Sequence, residues 1–173
     1  MDLSPVSRDA VRPPAPMRLV LAALFCALLL NLLPWSGQAI ALRPDFVLLL
    51  LVYWTVHESR RIGQTWGFAL GLAMDVADSA LLGQHALMYV AAIFLTQLLR
   101  IRMLHLRLGE QALHVGGILL VAQVIGIALN LSLGRDFPGM VLLVSPALGA
   151  LAWPLIDWLV TRPRFRRRRD TFL

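Results

Sequence analysis

From Met17 to Val160 the chain is a succession of six predominantly apolar runs parted by short polar turns, and few folds accept that alternation. Such runs have to be buried, either against one another or in lipid. With 58% hydrophobic residues and a mean hydropathy of +0.72 across 173 residues, there is too little polar surface to coat a soluble core. The expected fold class is an all-α integral membrane protein of six transmembrane helices.

Every basic side chain of lysine or arginine type is an arginine, sixteen in all, giving a net charge of +6. With six spans both termini share a side. The segments on that side (the N-terminal stretch through Arg18, 57–62, 100–111 and the C-terminal tail) hold fourteen of the sixteen, and only Arg43 and Arg135 fall opposite. The positive-inside rule then puts both termini in the cytoplasm. Arg100, Arg102 and Arg107 between spans, and Arg164, Arg166, Arg167, Arg168 and Arg169 in the tail, suit anionic lipid or a cytoplasmic partner better than a nucleic-acid groove. Residues 1–16, with four prolines, are expected to be a disordered cytoplasmic tail, 17–161 the membrane domain and 162–173 a second cytoplasmic tail. Ala39-Ile40-Ala41 resembles a signal-peptide cleavage site, but the preceding run is long and leucine-rich for a signal peptide. Trp35 would mark the outer interface, and Tyr53, Trp54, Trp66 and Trp158 the inner one.

The stretch from Gly63 to Leu87 carries the most specific pattern. Gly63, Gly67, Gly71 and Asp75 recur at four-residue steps, so on a helix they form one stripe that ends in an acid, with Asp78 close to the same face. If Gly63 lies at the inner boundary, a rise of ~1.5 Å per residue lifts Asp75 by about 18 Å and Asp78 by about 22 Å. A carboxylate at that depth costs ~2.5–3.5 kcal/mol unless it faces protein or water. Arg43, entering from the outer side ahead of a short second span, is the nearest cation, so an Arg43 pair with Asp75 or Asp78 is expected. The alternative leaves Asp78 at the interface and Asp75 bonded to backbone or amide groups of a neighbouring helix. Pro44 and Asp45 suit the first turn of that second span. The glycine stripe serves either packing within the chain or a partner face.

Elsewhere Gly116, Gln123 and Asn130 repeat every seven residues in the fifth run, which places a small residue and two amides on one face. Pro146 and Pro154 predict kinks in the sixth. Cys26 is a lone cysteine, so no intramolecular disulfide forms. The four histidines, His57, His85, His105 and His114, include no pair at metal-ligand spacing on one helix, and no cofactor is implied. Ser79, Ser132 and Ser145 lack a nucleophile-elbow context, and Asp157 reads as an interfacial charge.

Arg43-Pro44-Asp45, Gly67, Gly71, Asp75, and Leu82-Gly83 followed by Ala86-Leu87 together resemble the MreD family of bacterial rod shape-determining membrane proteins over about residues 20–160. The chain departs from the family pattern at Asp78-Ser79-Ala80, where many members carry glycine. The resemblance implies a six-helix inner-membrane protein with a bundle similar to the substrate-binding components of energy-coupling-factor vitamin transporters. It implies a non-enzymatic scaffold that works with MreC, the MreB filament, and the elongation transpeptidase and SEDS glycosyltransferase. The transmembrane helix of MreC is expected to pack on a groove such as Gly67–Gly71, or a second copy of the chain to do so. The competing class is the substrate-binding component of a vitamin-type transporter, because kinked helices around an intramembrane acid also make ligand sites.

Overall fold

The computed structural model describes residues 15–34, 43–137, 139 and 144–169, the last nine as backbone alone. Expectations for residues 1–14, Trp35, the Ala39-Ile40-Ala41 site and the side chains of Arg164, Arg166, Arg167, Arg168 and Arg169 fall outside the described residues. Those residues form six helices and no strand: α1 (Met17–Leu32), α2 (Phe46–His57), α3 (Gln64–Ala77), α4 (Gln84–His105), α5 (Leu108–Ser132) and α6 (Val144–Arg169). Two of them, α4 and α5, are long and apolar enough to cross a membrane.

The bundle is organised around α2. Its residues Val47–Leu49 and Leu51–Val56 are all buried, and α2 touches each of the other five helices. FVLLLLVYWTVH is apolar on every side, as a helix surrounded by protein has to be. By contrast α1 buries one stripe, Val20, Leu24, Ala27 and Asn31, and leaves Leu21, Phe25 and Leu29 exposed. Tyr53 and Trp54 therefore do not form an interfacial belt. Both are fully buried, meeting edge to face with ring centroids 5.3 Å apart, and Tyr53 donates its hydroxyl to Asp157 Oδ1 at 3.3 Å.

Twelve-residue α2 and fourteen-residue α3 span only ~18 and ~21 Å, less than a hydrocarbon core of ~30 Å. Cross-links between helix ends give an alternating course. At one end Ala15 N donates to Glu58 and its carbonyl accepts from Arg61, while Arg100 Nε donates to Val56 O at 2.8 Å. At the other, Asn31, Asp45, Asp75, His85 and Ser145 meet. Ala15 thus belongs to the folded unit and not to a free tail. The fourth apolar run continues as helix through Arg100 and Arg102 to His105, which shortens the expected basic loop to the turn at Leu106-Arg107. Helix α6 runs unbroken through Pro146, in its first turn where the missing donor costs nothing, and through Pro154.

Candidate functional site

A cavity of about 230 Å³ opens at the end of the bundle where Arg43, Asp78 and Ser145 lie. Two carboxylates at this end of the bundle, one lining the cavity and one behind His85, hold helices together. The first is Asp45, the residue before α2, which accepts from Leu48 N at 3.0 Å and so caps the helix. Pro44 stands one residue outside that cap instead of in the first turn. The same Oδ1 accepts from Asn31 Nδ2 of α1 at 2.9 Å, and Oδ2 accepts from the Tyr89 hydroxyl of α4 at 2.6 Å. Asn31 is itself 2% exposed, and its Oδ1 accepts from Phe46 N at 3.1 Å. Arg43 donates to the Asn31 carbonyl, and the Arg43 carbonyl accepts from Ser145 Oγ of α6 at 2.7 Å. One polar knot therefore joins α1, α2, α4 and α6.

The second carboxylate is Asp75, whose side chain is fully buried. Helix α4 begins at Gln84 behind Gly83, which sits in the left-handed region at φ 98° and has no side chain with which to cap. Asp75 supplies the missing cap from the neighbouring helix. Its Oδ2 accepts from Gly83 N at 2.7 Å and its Oδ1 from His85 N at 2.7 Å. His85 Nδ1, 2.9 Å from that Oδ1 and facing a carboxylate, donates the third bond. An anion held by N–H groups at the positive end of a helix is stabilised by both the bonds and the dipole.

Arg43 accordingly pairs with Asp78 and not with Asp75, whose oxygens are occupied by the start of α4. The Arg43–Asp78 contact is long, 3.7 Å, between side chains 18% and 33% exposed, so it is worth ~1 kcal/mol at most. His85 Nε2 lies at the same 3.7 Å from Asp78, placing the imidazole between the two acids of α3.

The glycine stripe is the surface on which α3 meets α4. A Cβ on Gly71 would lie 2.4 Å from Ala86 Cα and 2.6 Å from Ala86 N, and one on Gly67 would lie 2.4 Å from Ile93 Cδ1. Both glycines are buried, so this groove is filled by the chain's own α4 and is not open to another protein's helix. Gly116 approaches Ala150 of α6, where an added Cβ would be 3.0 Å from Ala150 Cβ. Gln123 and Asn130 line the cavity, but Asn130 makes no interhelical bond among the described residues: Nδ2 donates to Gly126 O and Oδ1 accepts from Arg135, each at 3.1 Å. A four-residue reach within one helix satisfies the amide before a neighbour can. Arg102, in the last turn of α4, and Arg107, just before α5, are exposed.

Asn31, Gln84, His85 and Tyr89 were not marked as site residues by sequence. Asn31 had a signal, being the lone amide in an otherwise apolar run, where an uncompensated polar group is costly. Gln84 Oε1 is buried at the cavity without a partner among the described residues. Ser145 gives its hydroxyl to a carbonyl, so the cavity assembles no activated nucleophile from it. Its groups are suited to holding helices in register and to accepting a polar group at the mouth.

Apolar faces turned outward, a central helix with no outward face and polar clasps at the helix ends define a membrane protein whose buried polar groups join helices. The profile of the family described as rod shape-determining protein MreD matches residues 15–161. The rod shape-determining protein MreD of Haemophilus influenzae is 25% identical over 145 residues, which are 84% of this chain and 90% of that protein. No solved structure matches. The chain belongs to the MreD family of rod shape-determining proteins.

Proposed function

We propose that the chain is a non-enzymatic scaffold of the cell-elongation machinery in the bacterial inner membrane. In this reading it crosses six times with both termini cytoplasmic. It binds MreC and, through it, links the MreB filament to the elongation transpeptidase and SEDS glycosyltransferase. The observation that carries the proposal is the family match across residues 15–161, which takes in five whole helices and the apolar part of the sixth. The alternation of helix ends supports the topology, because it brings Arg18, Arg60, Arg61, Arg100, Arg102 and Arg107 to one end of the bundle. The scaffold role is supported by the clasps, which give α1, α2, α4 and α6 a fixed geometry at the other end.

Since α4 fills the Gly67–Gly71 groove, the MreC helix is assigned to an outward apolar face. Photo-crosslinkers at Phe25 of α1, Leu113 and Val124 of α5 and Leu151 of α6, all exposed, test this. Labelling of the MreC span from one face, together with rounding of rod cells on depletion, supports the scaffold. Labelling from none of them, with normal cell shape on depletion, would sink it. A transporter component is the second reading, favoured by the cavity and its buried Gln84 carbonyl, unpartnered among the described residues. Vitamin auxotrophy on depletion, with shape preserved, would select it.

A further inference from the structure

The end of the bundle opposite the clasps holds a second concavity, of about 400 Å³, lined by His57, Glu58, Ser59, Arg60, Arg61 and Arg100. Three guanidinium groups border it against one carboxylate. That carboxylate already accepts from Ala15 N, and His57 Nδ1 lies 2.9 Å from Tyr53 O. Arg100 is fixed by its Nε bond to Val56 O, which leaves both terminal nitrogens without a partner among the described residues. Arg61 gives one nitrogen to Ala15 O, and Arg60 has no partner among the described residues. Three guanidinium groups against one carboxylate leave the hollow with an excess of positive charge, which favours an anion. The planar guanidinium fork matches phosphate oxygens two at a time. A volume of about 400 Å³ is within the range of small-ligand sites.

We infer that this concavity is a binding site for a phosphate group, held between Arg60, Arg61 and the terminal nitrogens of Arg100. The source is either the headgroup of an anionic phospholipid or a soluble phosphate. Basic pockets between helix ends on an arginine-rich membrane face take such headgroups. The inference needs nothing from the elongation role, and either can fail without the other.

The test is native mass spectrometry of the full-length protein in neutral detergent, with phosphatidylglycerol or phosphatidylcholine added as probe. Phosphatidylglycerol should be retained over phosphatidylcholine. Arg60→Gln should weaken that retention roughly fivefold, and Arg60→Gln with Arg61→Gln about thirtyfold. Arg102→Gln with Arg107→Gln, exposed charges outside the hollow, should change it less than about twofold. Arg60 bonds to nothing else among the described residues, so the single variant decides the matter if the double one misfolds. Equal retention of the two lipids that inorganic phosphate does not alter, or full retention of phosphatidylglycerol by Arg60→Gln, overturns the proposal. Competition by millimolar inorganic phosphate assigns the site to a soluble phosphate. Selective retention that phosphate leaves untouched assigns it to the lipid.

Discussion

Replacing Asp75 by asparagine changes neither the size nor the shape of the side chain and removes one acceptor, which makes it the sharpest probe of the clasp. The carboxylate accepts Gly83 N on one oxygen and His85 N with His85 Nδ1 on the other, at 2.7, 2.7 and 2.9 Å. An amide keeps one acceptor. Turned toward His85 it retains two bonds, and its NH2 then meets the Gly83 N–H donor to donor; turned the other way it orphans two donors. The first orientation is therefore preferred and leaves one buried N–H unmatched, a loss of ~1–3 kcal/mol. Removing the negative charge from the positive end of α4 adds up to ~2 kcal/mol in a buried setting. Asp75→Asn should then cost about 1–5 kcal/mol. Asp78→Asn, which gives up only contacts of 3.7 Å at a third-exposed side chain, should cost under ~1 kcal/mol. Unfolding by denaturing detergent in mixed micelles, followed by circular dichroism, measures both, and hydrogen exchange at Gly83 and His85 should accelerate in the first variant alone. Equal losses for the two variants, or a loss at Asp75 below ~0.5 kcal/mol, would refute the assignment of Asp75 as the cap of α4.

The same assay reads four further changes. Gly71→Ala forces a methyl against the Ala86 backbone at 2.4 Å, where no side chain can move aside, and should cost ~2–3 kcal/mol, whereas Gly117→Ala, with open space around it, should be neutral or gain up to ~1 kcal/mol. Ser79 holds φ at 50° after α3, so Ser79→Gly should stabilise by about 1 kcal/mol; a destabilised variant would contradict the left-handed turn. Tyr89→Phe removes the 2.6 Å bond to Asp45 and should cost ~1–3 kcal/mol, with little effect expected if Asn31 is first replaced by leucine and the knot is already undone.

The helical class and the order of the apolar runs were legible because hydropathy reports burial directly. The Asp75 stripe was legible because a fourfold step of small residues has meaning only on a helix. What sequence did not reveal is which neighbour each feature meets. Gly71 and Ala86 are fifteen positions apart, and only the antiparallel return of α4 against α3 shows that the glycines admit α4's backbone. Likewise Asp75 was expected to meet either Arg43 or backbone and amide groups of a neighbouring helix; the second arrangement is the one found, and no side-chain pattern marks which backbone N–H groups those are. Ser79 illustrates the converse: the lack of glycine in Asp78-Ser79-Ala80 was visible in sequence, and only the structure shows that the chain is left-handed there all the same, with φ 50° at Ser79. Tyr53 and Trp54 looked like an interfacial belt because they close an apolar run, but burial on every side of α2 overrides position along the chain.

The encirclement of α2 also limits how a scaffold of this kind can be read by its neighbours in the membrane. A helix buried on every side offers nothing to a partner, and the stripe most suited to close helix packing is already used by α4. Contact with another membrane helix is left to outward faces such as those of α1, α5 and α6, where Phe25, Leu113 and Leu151 are 61%, 76% and 74% exposed. Those faces carry no clasp and so change with little cost to folding. The two ends differ more sharply: one concentrates carboxylates and amides, the other arginines that form no ion pair among the described residues.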